Sequence, residues 1–503
     1  MTQCQNQNPL LRRAARLAAL LCGCGLVGSC AVNPATGERE LTLMSPAQER
    51  QIGAQEHPRL MEQFGGPYDD PAVAAYVATV GGRMAANSEL ADQSFTFTLL
   101  NSKVVNAFAL PGGYVYISRG LLALMNDEAE LASVLGHEVG HVTARHSARR
   151  QTQSVFGGLL GMGVGILTGS SELGRLASQG TQLYLLSYSR GQEYEADQLG
   201  VRYMTRAGYD PYGSARMLAS LGRDSALQAK ILGREEAAQV PSWARTHPLA
   251  EDRVERAVAA ARASGMAPGA GARERGRFLG AIDGLVYDDN PEQGVIRGRE
   301  FWHPQIGFMF RVPDGFALQN GETSVLANGP GDAAILFSGA KVAADQDMAR
   351  HVNEVWRQLS NGQGGALQNV ERLEVNGMPA ASGVSRLQGE GGAIDMRLIS
   401  IRFSTSQAFH FMFLSNANQT ATLNDAYRRT AFSFRRLGAD EAADVKGRYI
   451  DILTVKPGDT AAGLASKMAF QDHALERFLV LNGLEADAGL RAGQQVKLVV
   501  DGG

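Results

Sequence analysis

The stretch Gly136-His137-Glu138-Val139-Gly140-His141 narrows the folding problem for this 503-residue chain more than any other segment. The residues before it, Glu128-Ala129-Glu130-Leu131-Ala132-Ser133-Val134-Leu135, read as a helix that Asn126 or Asp127 can cap. Four helical residues turn through about 400°, so His137 and His141 leave the same face one turn apart and can grip one ion. Glu138 lies about 100° around the helix. Imidazole nitrogens and carboxylate oxygens bind zinc tetrahedrally at about 2.0 to 2.2 Å, so the fold must bring a third protein ligand to this helix and leave one position for water.

The pattern is H-E-x-x-H, a zinc-protease signature in which the two histidines hold the metal and the glutamate acts as base. A third ligand is available in Ser189-Arg190-Gly191-Gln192-Glu193-Tyr194-Glu195-Ala196-Asp197. Glu193 and Asp197 stand at i and i+4, so a helix that presents one to the metal presents the other nearby, where it can orient a ligand imidazole. Periodicity leaves both Glu193 and Glu195 open as the ligand.

This H-E-x-x-H followed about fifty residues later by Ser189-Arg190-x-x-Glu193-x-x-Ala196-Asp197 resembles the gluzincin peptidase family of the CAAX prenyl endopeptidases, HtpX and BepA, over roughly residues 45–260. The resemblance implies one Zn2+ per chain on His137, His141 and Glu193, with Asp197 and Arg190 supporting the ligands from behind. Thr246-His247-Pro248-Leu249 resembles the family's Thr-His-Pro segment, which implies that His247 either stabilises the oxyanion or blocks the metal at rest. Asn106-Ala107-Phe108-Ala109 resembles the family's edge strand, where main-chain hydrogen bonds would hold an extended substrate. Glu138 would take a proton from the attacking water and deliver it to the leaving amine.

The first thirty residues carry Arg12, Arg13 and Arg16, no acidic residue, and an apolar run from Leu17 to Val27. This predicts an export signal over residues 1–29, too short in its apolar part for the roughly 20 residues that span a bilayer. It ends in Val27-Gly28-Ser29-Cys30, which resembles a lipobox and implies acylation of Cys30, with Cys24 a poorer candidate. Ala31 after that cysteine fits sorting to the outer membrane. Cys4, Cys22, Cys24 and Cys30 are all the cysteines, so the exported protein is expected to have no disulfide.

Downstream, the predicted class is α+β multidomain. A mainly helical zincin-type domain (30–263) carries a small sheet from Phe95–Leu99 and Tyr114–Ile117, with a turn at Pro111-Gly112-Gly113. The Gly, Ala, Pro and Arg composition of residues 264–277 predicts a linker. Residues 278–440 read as an α+β domain of unknown role, with strands near Phe308–Val312 and Phe409–Phe413 and a helix near Asp345–Leu359; its scattered His303, His351 and His410 read as structural. Residues 447–503 read as a βααβ unit in which Lys456-Pro457-Gly458-Asp459-Thr460, Asn482-Gly483-Leu484 and Gly493-Gln494 resemble the LysM module, implying N-acetylglucosamine-containing glycans such as peptidoglycan. The glycine-rich run Val155–Thr168 is too short to cross a bilayer as a helix and fits a lid, a membrane-dipping hairpin or buried packing.

A net charge of −3 with 48 basic and 51 acidic residues argues against a nucleic-acid partner. The expected function is a lipid-anchored periplasmic zinc endopeptidase acting on unfolded or misassembled envelope proteins. The alternative is a non-catalytic peptidoglycan-binding or chaperone-like assembly factor.

Overall fold

The computed structural model describes residues 29–42, 44–152, 188–231, 247, 252–321, 324–360, 365–389 and 392–502. The signal-like residues 1–28, the glycine-rich run 155–168, and Thr246, Pro248 and Leu249 lie outside the described residues. The chain begins with a hairpin of β1 (Ser29–Val32) and β2 (Arg39–Thr42). Helix α1 (Pro46–Gln63) follows, started by a Ser45/Gln48 capping box, and then α2 (Pro71–Ala86), capped by Asp70.

A three-stranded sheet comes next, from β3 (Thr96–Leu100), β4 (Ala107–Leu110) and β5 (Tyr114–Ser118), in the order β3-β5-β4. β3 runs parallel to β5, so the Pro111-Gly112-Gly113 turn does not join them as expected. It joins the antiparallel pair β4 and β5 instead, with both glycines at positive φ (87° and 96°). β4 is the segment that the family resemblance reads as an edge strand; its Ala-Phe-Ala-Leu is buried on both faces and shows no alternation of its own.

Short α3 (Arg119–Leu124) leads into α4 (Glu128–Thr143), whose N-cap Asp127 accepts from Glu130 N at 2.9 Å. Every residue of α4 except Val142 is buried. Helices α5 (Arg190–Arg206), α6 (Gly213–Ile231) and α7 (Arg253–Ala263) pack around it. The α4–α5 approach is close because it is glycine on glycine: a methyl group on Gly200 would stand 3.0 Å from His137 N, and one on Gly136 would stand 3.3 Å from Gly200 Cα.

Residues 264–277 are not a free spacer. Ala272 N donates to Gly208 O at 2.9 Å, Asp210 N to Ala272 O at 3.0 Å and Glu128 N to Arg273 O at 2.9 Å. Arg273 Nε reaches Asp127 Oδ2 at 2.7 Å and Arg275 Nη1 reaches Asn126 O at 2.6 Å. The composition misleads because these arginines have buried acceptors waiting at the start of α4. Helix α8 (Arg275–Ile282) then buries Phe278, Leu279 and Ile282 in the same core as α4.

The C-terminal unit belongs to that core as well. β18 (Arg448–Thr454), antiparallel to β19 (Gln495–Asp501), takes the short β6 (Val286–Tyr287) as a third strand. Between them lie α12 (Ala461–Ala465) and α13 (Ala474–Leu481). Ile450, Leu464, Phe478, Leu481 and Val496 share one hydrophobic cluster with Phe278 and Leu122. Buried Lys497 donates its amine to Ala123 O at 2.7 Å and Met125 O at 2.5 Å, where α3 ends. Residues 447–502 and the helical domain are one packed body.

The middle domain stands on its own core. β7 (Val295–Arg297), β8 (Glu300–His303), β9 (Phe308–Arg311) and β17 (Arg435–Arg436) form a four-stranded sheet in the order β17-β9-β8-β7. A seven-stranded antiparallel sheet runs from β10 (Ala317–Asn320) through β11 (Ser324–Asn328), β12 (Ala334–Lys341), β16 (Gln407–Asn416), β15 (Gly392–Arg402) and β14 (Met378–Gly389) to β13 (Gln368–Val375). Along β16 the alternation splits the residues between two cores. Phe409, Phe411 and Phe413 join an aromatic cluster with Phe308, Phe310 and Phe434 near α10 (Thr420–Ser433). Ala408 and Met412 face α9 (Met348–Leu359), which Asp347 caps and which starts three residues after the expected Asp345. A short α11 (Ala439–Ala443) leads to the C-terminal unit.

Candidate metal centre

Helix α4 carries His137 and His141, and α5 carries Glu193, to one buried point that His247 also reaches. His141 Nε2 lies 3.0 Å from His137 Nε2, and Glu193 oxygens lie 3.5 Å from each of those nitrogens. His247 Nδ1 lies 3.3 Å from His137 Nε2 and 3.0 Å from Glu193 Oε1. Four ligands at about 2.0 to 2.1 Å from a tetrahedral metal stand about 3.3 Å apart, and these separations of 3.0 to 3.5 Å are close to that spacing.

Behind this cluster, His137 Nδ1 donates to Asp197 Oδ1 at 2.9 Å, which leaves the lone pair of that ring on Nε2, facing the other ligand atoms. Asp197 is in turn gripped through two oxygens by Arg253, at 2.9 and 2.8 Å, and Arg253 Nη1 also reaches Glu193 Oε2 at 3.0 Å. Burial would raise the Asp197 carboxyl, but the Arg253 charge and the His137 bond hold it well below the usual carboxylate range.

Glu138 is the one carboxylate in the cluster without such support. It is fully buried, and neither oxygen has a hydrogen-bond partner among the described residues. Burial pushes its pKa up against the pull of His247 and His137. A buried charge-capable group with neither oxygen hydrogen-bonded, and only His247 Nε2 3.5 Å from Oε1, fits a site completed by a cation and a water. The donor set of imidazoles and carboxylate, with these separations, therefore fits a divalent metal.

Of the substrate-strand residues, Ala107, Phe108 and Ala109 lie on β4 and Asn106 just before it; no strand among the described residues pairs with the outer edge of β4. His247 Nε2 stands 3.3 Å from Ala107 O, on that strand. Arg190 is exposed in the first turn of α5, outside the cluster, so its expected supporting role passes to Arg253. Sequence reading missed Arg253, whose distance along the chain gave no periodic signal. It also missed His146, whose ring lies 2.7 Å from His141; five residues on from a ligand, it could have been found only by asking what holds that ligand's second nitrogen.

Residues 71–261 match peptidase family M48, and residues 453–499 match the LysM domain. This chain carries a family M48 peptidase domain. Among curated relatives, a Beta-barrel assembly-enhancing protease of Yersinia pestis is 33% identical over 195 residues, which is 37% of this chain and 38% of that protein. Its counterpart in Escherichia coli (strain K12) is 31% identical over 245 residues, 47% of this chain and 48% of the relative. Mitochondrial metalloendopeptidase OMA1 of Arabidopsis thaliana is 36% identical over 140 residues, 28% of each chain. The chain thus spans less than half the length of these relatives.

Proposed function

We propose that this chain is a zinc-dependent endopeptidase of the bacterial periplasm, tethered to the outer membrane by a lipid on Cys30 and hydrolysing unfolded or misassembled envelope proteins. The observation that carries the reading is the unmatched Glu138 carboxylate beside four convergent donor atoms, His137 Nε2, His141 Nε2, a Glu193 oxygen and His247 Nδ1. A zinc ion bound there supplies Lewis-acid polarisation of the scissile carbonyl and makes a neighbouring water acidic. Glu138, poised by burial to accept a proton, takes it from that water and hands it to the departing amine. The free edge of β4 offers main-chain groups to an extended polypeptide of any sequence, as an unfolded substrate requires.

His247 fills the fourth corner, the one where water must enter, so we read this arrangement as a resting form that opens when the ring moves aside. Its Nε2, beside Ala107 O, keeps the ring next to the strand where substrate would pair. The names of the bacterial relatives, which tie those proteins to β-barrel assembly, support an envelope substrate. Val27-Gly28-Ser29-Cys30 supports the lipid anchor, and mass spectrometry of the mature N-terminus would check it.

The decisive experiment incubates the purified protein, freed of its signal, with an unfolded protein, with and without a zinc chelator. Glu138→Gln is expected to retain zinc and lose activity by about 10²- to 10⁴-fold; full proteolysis by that variant refutes the mechanism. The LysM match favours a second, binding role toward peptidoglycan, which pull-down with isolated sacculi tests separately. If the chain binds sacculi but shows no chelator-sensitive cleavage, the non-catalytic assembly-factor reading replaces ours.

A further inference from the structure

We propose that His146 is a positioning residue for the metal centre, fixing the tautomer of His141 so that its Nε2 presents a lone pair to the ion. The inference rests on His141 being a ligand. Metal-binding imidazoles usually donate their second N–H to a carboxylate, a carbonyl or water. His137 does this directly, through Asp197. His141 has no carboxylate at its Nδ1; it meets a second imidazole, with His146 Nδ1 2.7 Å away.

The local backbone brings that ring back. Helix α4 ends at Thr143, and Arg145 takes a left-handed conformation (φ 53°), so the chain reverses and a new helical segment, residues 146–152, starts with His146. Arg145 is held there by Glu49 at 3.1 Å and by Met44 O at 2.6 Å, which anchors the turn to the start of α1. His146 is fully buried, its ring 4.9 Å from that of His141 at 69°. Tyr188 stacks on His141 at 3.9 Å and 16°, which leaves the His141 ring little freedom except in its own plane.

Proton positions follow from the far end of the chain of contacts. Glu195 Oε2 stands 3.1 Å from His146 Nε2 and accepts from Arg149 Nη1 at 2.9 Å. An ionised carboxylate only accepts, so His146 Nε2 carries a proton and, in the neutral ring, Nδ1 carries a lone pair. The 2.7 Å contact then holds the proton of His141 Nδ1, and His141 Nε2 is bare. The opposite arrangement, a proton on His146 Nδ1, would drive the His141 proton onto Nε2 and aim it at His137 Nε2, 3.0 Å away, where no metal could then enter. Glu195, which periodicity left open as a ligand, thus acts on the metal through two rings instead.

Zinc affinity of the full chain, measured by chelator competition, tests this without relying on activity. His146→Leu is expected to weaken zinc binding 10- to 100-fold, roughly the usual cost of losing such an outer partner. His146→Gln, whose amide can accept from His141 and donate to Glu195, should recover most of that loss. In zinc-loaded protein, nitrogen-detected imidazole NMR should find His146 protonated on Nε2 and bare on Nδ1. Unchanged zinc affinity in His146→Leu, equal losses in both variants, or a proton on His146 Nδ1 overturns the proposal. If His146→Leu fails to fold, Glu195→Ala at the half-buried end of the relay replaces it, with a loss of several-fold expected and an unchanged affinity counting against us. A His141→Ala protein that still binds zinc normally would instead refute the ligand assignment itself.

Discussion

Acidification from pH 7 to pH 5 should strip the middle domain of a large part of its stability. His303 and His410 are both held down to about 4 by burial, against 6.5 for the free side chain. His410 Nε2 is buried without a partner and its ring lies 5.3 Å from that of His351, whose pKa burial also lowers. Because the folded values are depressed, the unfolded chain takes up protons first; the stability carried by the neutral rings is present above about pH 6.5 and drains away as the pH falls toward 4. Integrating the linkage from pH 7 to 5 gives about 2 kcal/mol for each of His303 and His410, or about 4 kcal/mol together. Single domains hold only about 5 to 15 kcal/mol in total, so the effect is a substantial fraction. Two of the three tryptophans, Trp302 and Trp356, lie in this domain, and Trp356 packs in the core facing His410. Guanidinium titrations followed by tryptophan fluorescence should therefore show the midpoint falling by roughly 1 M between pH 7 and 5, for a slope near 4 kcal/mol/M. The double variant His303→Gln/His410→Gln should remove most of that fall. A wild-type midpoint that ignores pH, or a double variant that loses as much as wild type, refutes the reasoning.

Three other outcomes follow from the packing. Gly200→Ala places a methyl 3.0 Å from His137 N, so α5 must retreat and carry Glu193 with it; overpacking of this kind costs about 1 to 3 kcal/mol, and zinc content should drop with the melting temperature. A variant with normal zinc content would show that the glycine contact does not set the ligand geometry. Arg253→Met leaves Asp197 and Glu193 buried without their cation, a loss of about 3 to 5 kcal/mol that denaturant titration should register in the helical domain. Equal stability there would mean that solvent reaches those carboxylates. Truncation after Lys446 exposes Phe278, Leu279 and Ile282 and unpairs β6, so size-exclusion chromatography should find aggregate; a soluble, zinc-loaded fragment would sink the single-core account.

What could be read from the chain before its structure divides along the range of the interactions involved. His137, Glu138 and His141 are set by one helical turn, and Glu193 and Asp197 by another, so spacing carries them, with the family resemblance needed only to prefer Glu193 over Glu195. The meeting of those two turns is different. It depends on Gly136 and Gly200 touching across a helix crossing, and in a sequence with 59 glycines neither stands out. Arg253 and His146 act by completing the valences of groups far away or around a reversed turn, and no periodicity reports a valence.

Contacts around residues 264–277 were hidden from the sequence for a related reason. Exposed Gly, Ala and Pro at 264–272 do look like a tether, but Arg273, Arg275 and Arg277 face Asp127, Asn126 and Glu128 at the start of α4, and Lys497 closes the carbonyl end of α3 from the other side. Helix α4 begins beside a clasp made by the last strand and residues 273–277. Lys497 of β19 and Arg275 thus hold the carbonyls of Met125 and Asn126, the second of them eleven residues before His137. The C-terminal module is thus packed directly against the turn that leads into the helix carrying His137 and His141.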